Sequence, residues 1–166
     1  MSPELAAALE AVALRLQGAG VPFLLGGSAL LHALGLDVAV RDLDLVARPQ
    51  DREALEAAAG DWHVATTTGQ TPLWRSPWKA QLAVGGAEVE VLGGLAWTLA
   101  DDGPVATMPF RAEGTWRCGA AEVPLAPAAH WLLLYERYRP ARAAALAPLV
   151  TPAARAAAEA ELARRA

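Results

Sequence analysis

Residues 21–34 constrain the fold more than any other stretch. A short apolar run, Val21-Pro-Phe-Leu-Leu25, breaks at Gly26-Gly27-Ser28, and Ala29 to Leu34 then reads as a helix closed by Gly35. The order is strand, glycine turn, helix. Glycines at such a junction let backbone come close to a neighbour or a ligand. The amides at the helix start and the Ser28 hydroxyl are then free to hold phosphate oxygens. A tight turn with Ser28 as N-cap would have the same sequence, so the turn alone decides nothing.

The next segment, Val38 to Val46, alternates as a strand and contains Arg41-Asp-Leu-Asp-Leu45. On a strand, Asp42 and Asp44 share one face, about 6–7 Å apart, while Leu43 and Leu45 point to the core. Two carboxylates this close repel unless a positive charge sits between them, and hard divalent cations prefer oxygen ligands. A solvated polar face gives the same triplet. The two features together are more informative, because anchored phosphates and a metal bridge are what phosphoryl-group chemistry needs. A later strand, Ala87-Glu-Val-Glu-Val-Leu92, offers Glu88 and Glu90 on one face. Glu90 lies deeper among apolar residues, where an unpaired carboxylate is costly, and is the expected third member of the set.

Around these segments the pattern predicts a mixed α/β (α+β) domain: a small mixed sheet with flanking helices. An amphipathic helix is expected over Pro3–Gln17, a helix from Pro49 and Gln50 through Ala59, and strands at Trp62–Thr68, Ala80–Val84 and Glu88–Leu92, the last two joined at Gly85-Gly86. Between Gly93 and Gly114 the pattern loosens to loop, with a short helix around Leu95–Leu99. A hairpin of Gly114–Cys118 and Ala121–Leu125 follows, then helices over Pro127–Tyr138 and from Pro152 to the end. At 166 residues, one domain over 1–166 is expected.

Composition excludes several classes. Apolar residues make up 54% of the chain, much of it alanine, and no run approaches the roughly 18 residues of a membrane span. The N-terminal Met1-Ser2-Pro3-Glu4 lacks the basic and apolar regions of a secretory signal, so a cytoplasmic location is expected. The single Cys118 forms no internal disulfide and reads as a small strand residue. A net charge of −4 argues against a general electrostatic grip on nucleic acid, although a local basic groove is compatible with it. His32, His63 and His130 stand apart from any metal-motif spacing. The stretch Gln70-Thr-Pro-Leu-Trp-Arg-Ser-Pro-Trp78, followed by Lys79, is either a stacking surface for a base or sugar or a loop packed on its own sheet.

The stretch Leu25-Gly-Gly-Ser-Ala-Leu-Leu-His-Ala-Leu-Gly35, followed by Arg41-Asp-Leu-Asp-Leu45 and the Glu90 strand, resembles the nucleotidyltransferase superfamily related to DNA polymerase beta. The resemblance covers about residues 20–92, and within it the chain looks most like small aminoglycoside adenylyltransferases and toxin-antitoxin-type nucleotidyltransferases. It implies a magnesium-dependent enzyme that moves a nucleoside monophosphate from a nucleoside triphosphate to a hydroxyl acceptor, either a small molecule or an RNA or protein. The alternative is a non-catalytic module of the same fold that binds a nucleotide or a partner. By the same resemblance, Gly26, Gly27 and Ser28 form the triphosphate turn, Asp42, Asp44 and Glu90 are the catalytic metal ligands, and Arg41 either contacts phosphate or balances the acidic strand. Two departures stand out. Arg139-Pro-Ala-Arg142 occupies the place of a lysine-aspartate pair often found in relatives, and the acceptor-holding helical domain of larger relatives is missing. The acceptor side is therefore expected from a second copy or partner subunit, a macromolecule, or the Gln70–Trp78 stretch.

Overall fold

The computed structural model describes residues 1–165 and shows an α+β fold. Helix α1 (Pro3–Gly18) is capped by Ser2, whose hydroxyl accepts from the Leu5 amide, and buries Leu5, Leu9, Val12 and Leu16 on one face. Strand β1 (Leu24–Leu25) is shorter than the apolar run predicted, and α2 (Gly27–Ala33) starts two residues earlier than expected. Strand β2 (Leu43–Ala47) and α3 (Arg52–Ala59), entered through a 3-10 turn at Pro49–Asp51, come next. The strands β3 (His63–Gln70), β4 (Arg75–Val84) and β5 (Ala87–Gly93) then complete the main sheet.

The main sheet runs β1-β2-β5-β4-β3, with β2 and β5 parallel and the other neighbours antiparallel. Gly85 and Gly86, both at positive φ, make the predicted turn between β4 and β5. One face of the sheet buries Leu43, Leu45, Leu82, Val89 and Val91 in the core. The other face carries the candidate site.

Three predicted elements change. The strand expected over Val38–Val46 forms only from Leu43, because β1 reaches just Leu45 and Val46 and β5 reaches no further back than Leu43. Residues 38–42 therefore have no strand to pair with, and Asp42 sits in a bend before β2. The short helix expected around Leu95–Leu99 is instead strand β6 (Ala96–Thr98), paired with β7 (Val105–Thr107). Its pairing is fixed by contacts distant in sequence, Ser76 Oγ accepting from the Ala96 amide and Leu73 O accepting from the Thr98 amide. The Gln70–Trp78 stretch divides: its ends belong to β3 and β4, and only residues 71–74 connect them.

The hairpin of β8 (Thr115–Cys118) and β9 (Ala121–Pro124) forms where expected and buries Cys118. Helix α4 (Ala128–Tyr138) follows and buries Trp131, Leu134 and Tyr135. An unexpected helix α5 (Pro140–Leu146) then packs against α4, and α6 (Pro152–Arg165) packs on α4 as well. No described helix is long and apolar enough to cross a membrane.

Candidate active site

Parallel pairing of β2 with β5 sets Asp44 opposite Glu90, so the two carboxylates expected to work together emerge side by side on the face away from the core. Asp42 joins them from the bend before β2. All three line a cleft of ≈ 930 Å³, whose walls include Arg41, Lys79, Arg139 and Arg142 and the aromatic rings of Trp74, Trp131 and Tyr138.

Asp44 is the most constrained of the three. Gly26 donates its amide to the Asp44 carbonyl at 2.9 Å, and Gly27, at φ +58°, lies against the Asp44 carboxylate so closely that a Cβ there would collide with it. A Cβ on Gly26 would collide with the Trp131 ring. The glycine pair is thus required by close approach between parts of the protein itself. Gly26, Gly27 and Ser28 are buried behind Asp44 and are not part of the cleft wall. Burial, and secondarily repulsion from Asp42 and Glu90, pushes the Asp44 carboxyl up to about 7, outweighing the attraction of Arg142 and Lys79. Ser28 Oγ, Trp131 Nε1 and the Tyr135 hydroxyl are buried without a hydrogen-bond partner among the described residues. The Tyr135 hydroxyl is pushed up to about 12, chiefly by burial, with Asp44 and Asp42 adding to it.

Glu90 is differently placed. Lys79, two residues along β4 from Gln81, its cross-strand partner, binds Glu90 Oε2 at 2.7 Å. Among the described residues, no three His, Cys, Asp or Glu side chains are grouped to hold a metal ion by themselves. The pair Asp42 and Asp44 still suits magnesium, which is commonly held by one or two carboxylates with the remaining positions filled by water and substrate phosphates. The raised Asp44 carboxyl reflects a half-buried acid beside two others, which Arg142 and Lys79 offset only in part.

Sequence reasoning named Arg41 as a phosphate contact but missed the rest of the cationic wall. Arg139 and Arg142, read as a departure from the usual pattern, both reach the cleft, as does Arg41, and none of the three makes an ion pair among the described residues. Arg139 lies 5.5 Å from the Tyr138 ring centre and Arg142 5.9 Å from that of Tyr135. Their i, i+3 spacing was the available signal. Of the two tryptophans in the Gln70–Trp78 stretch, Trp74 lines the cleft, while Trp78 is buried in β4 and donates Nε1 to the Pro49 carbonyl at 2.7 Å. His32, His63 and His130 all lie outside the cleft wall.

This architecture is the nucleotidyltransferase fold. A candidate nucleotidyltransferase from Thermotoga maritima superposes with a TM-score of 0.73 at 18% identity, covering 87% of this chain and 90% of that one. The antibiotic-resistance factor ANT(2'')-Ia, in complex with adenylyl-2''-tobramycin, matches with a TM-score of 0.61 at 16% identity over 98% and 99% of the two chains. The lincosamide antibiotic adenylyltransferase LnuA, with lincomycin bound, matches with a TM-score of 0.52 at 12% identity over 96% and 94%. No family model matches the chain, and no curated protein matches it in sequence.

Proposed function

We propose that this chain is a magnesium-dependent nucleotidyltransferase that moves a nucleoside monophosphate from a nucleoside triphosphate to a hydroxyl acceptor. The observation that carries the proposal is the meeting of Asp42, Asp44 and Glu90 in a cleft that also holds Arg41, Arg139 and Arg142, none of them ion-paired among the described residues. Asp42 and Asp44 are the residues that would hold magnesium, which when bound offsets the charge on the triphosphate and on the departing pyrophosphate.

The remaining work falls to the chain's own side chains. Arg41, Arg139 and Arg142 bind phosphate oxygens, for which a guanidinium fork is well shaped. The glycine turn seats Asp44 from behind. Lys79 fixes Glu90 by one oxygen, leaving Oε1 to accept the hydrogen bond of the acceptor hydroxyl. As the acceptor oxygen bonds to the α-phosphorus, the bridge to the β-phosphate breaks, the hydroxyl proton passes to Glu90 Oε1, and pyrophosphate leaves. The likeness to the antibiotic-resistance factor ANT(2'')-Ia and to the lincosamide antibiotic adenylyltransferase LnuA supports an acceptor that is a small molecule.

The Lys79–Glu90 ion pair also favours a second reading, nucleotide binding without turnover, because a cation on one oxygen of the Glu90 carboxylate weakens the other as a proton acceptor. The test is incubation with each labelled triphosphate, magnesium and pools of hydroxyl compounds, following pyrophosphate release. Release that depends on both magnesium and an added pool is expected. Binding of nucleotide with no release from any pool would establish the non-catalytic reading.

A further inference from the structure

We infer that the acceptor subsite is the β3–β4 end of the cleft, and that it takes a ring-bearing hydroxyl compound that is uncharged or acidic rather than an amino sugar. The inference rests on the nucleotidyl-transfer reading and adds to it the chemical class of the acceptor.

Strand order supplies a direction across the site. Asp44 lies on β2, Glu90 on the next strand β5, Lys79 on β4 and Thr67 beyond it on β3, opposite Lys79 in register. In an in-line displacement the attacking oxygen and the leaving phosphates lie on opposite sides of the reacting phosphorus. With Asp42 and Asp44 serving the nucleotide and Glu90 the hydroxyl, the acceptor comes from the side of Lys79 and Thr67.

That end has a definite chemistry. Trp74 and Tyr138 meet edge to face with ring centres 5.0 Å apart at 78°, forming an aromatic corner half open to the cleft. The corner is preorganised. The Thr71 hydroxyl accepts from the Trp74 amide at 2.9 Å, Trp74 bridges to Trp97 of β6, and Leu73 O accepts from the Thr98 amide at 2.9 Å. Thr67, Thr68 and Thr71 supply neutral hydroxyl-bearing edges, and the cations beside the corner are Arg75, which donates to the Thr71 and Trp74 carbonyls, and Arg139, which lies against the Tyr138 ring. The carboxylates lining the cleft are the three near the centre, and one of them is already neutralised by Lys79. A ring can stack in the corner and a hydroxyl can bond to the threonines. An ammonium group placed there meets cations and no free carboxylate, which disfavours it through like-charge repulsion and lost solvation.

Three phenyl glycosides that share a ring and a sugar but differ in charge test this: phenyl glucoside, phenyl glucuronide and phenyl 2-amino-2-deoxyglucoside. Binding is followed by ligand-observed NMR with magnesium and a non-hydrolysable triphosphate present, and nucleotide affinity is measured separately by calorimetry. The neutral and acidic glycosides are expected to bind about tenfold more tightly than the amine. Trp74→Ala is expected to weaken the glucoside about tenfold while leaving nucleotide affinity unchanged, and Trp74→Phe to retain most of the affinity. Equal or tighter binding of the amine overturns the charge assignment. A glucoside affinity untouched by Trp74→Ala, or lost together with nucleotide affinity, overturns the subsite. Failure of the nucleotide titration itself would instead overturn the nucleotidyl-transfer reading.

Discussion

Asp44 concentrates the chemistry of the cleft in one side chain, and its carboxyl stands at about 7 against an ordinary 3.8 because burial and two neighbouring acids disfavour its charge. The linkage has a definite sign. Between those values the folded state holds more protons than the unfolded state, so the Asp44 contribution to stability is present below about pH 4 and is lost as pH rises through about 7. In the metal-free protein this component should amount to roughly 2 kcal/mol once solvent in the open cleft is allowed for. His130, buried with its pKa lowered mainly by burial, acts in the opposite direction as pH falls, so the comparison must be with Asp44→Asn. Denaturant titrations from pH 4.5 to 8 should show wild type losing stability relative to Asp44→Asn as pH rises, and identical pH profiles would refute the assignment. Asp42, Asp44 and the glycine pair were legible in the sequence by residue type and spacing. The reason Gly26 is a glycine was not, since it depends on Trp131, more than a hundred residues away, while Gly27 answers to the Asp44 carboxylate.

Secondary-structure elements were readable where they are long enough to show a period. The alternating β4 and β5 with their glycine turn, and the amphipathic α1, follow from local pattern. Strand β6 has three residues, all buried, which is too short to show alternation. Helix α5, Pro140-Ala-Arg-Ala-Ala-Ala-Leu146, has four alanines in seven residues and only Ala143 and Leu146 to mark its buried side. Missing α5 meant missing Arg142, which the helix directs to the cleft near Asp44. Arg142 makes no ion pair among the described residues, so Arg142→Ala should leave the melting temperature within a few degrees of wild type. Its affinity for a magnesium-triphosphate analogue should fall about tenfold or more, the typical worth of a charged hydrogen bond. Calorimetry on the variant checks this, and unchanged affinity would remove α5 from the nucleotide site.

Charge over the whole molecule conceals the site. The chain carries −4, yet its cleft gathers Arg41, Lys79, Arg139 and Arg142 against Asp42, Asp44 and Glu90. These cations come from three separate segments, so net charge and local charge runs could not reveal a groove that only the fold assembles. The fold was legible because strand, glycine turn, helix and acidic strand occur in one continuous stretch. The walls were not, because they are gathered from the segment before β2, from β3, β4 and their connection, and from the helices after the sheet. The most direct test is calorimetric titration of a non-hydrolysable triphosphate, with and without magnesium, into wild type and into Asp42→Ala with Asp44→Ala. Binding strengthened by magnesium in wild type, with that increment lost in a variant that keeps its circular dichroism, is the expected result. Tight binding independent of magnesium and identical in both proteins would contradict the assignment of the site.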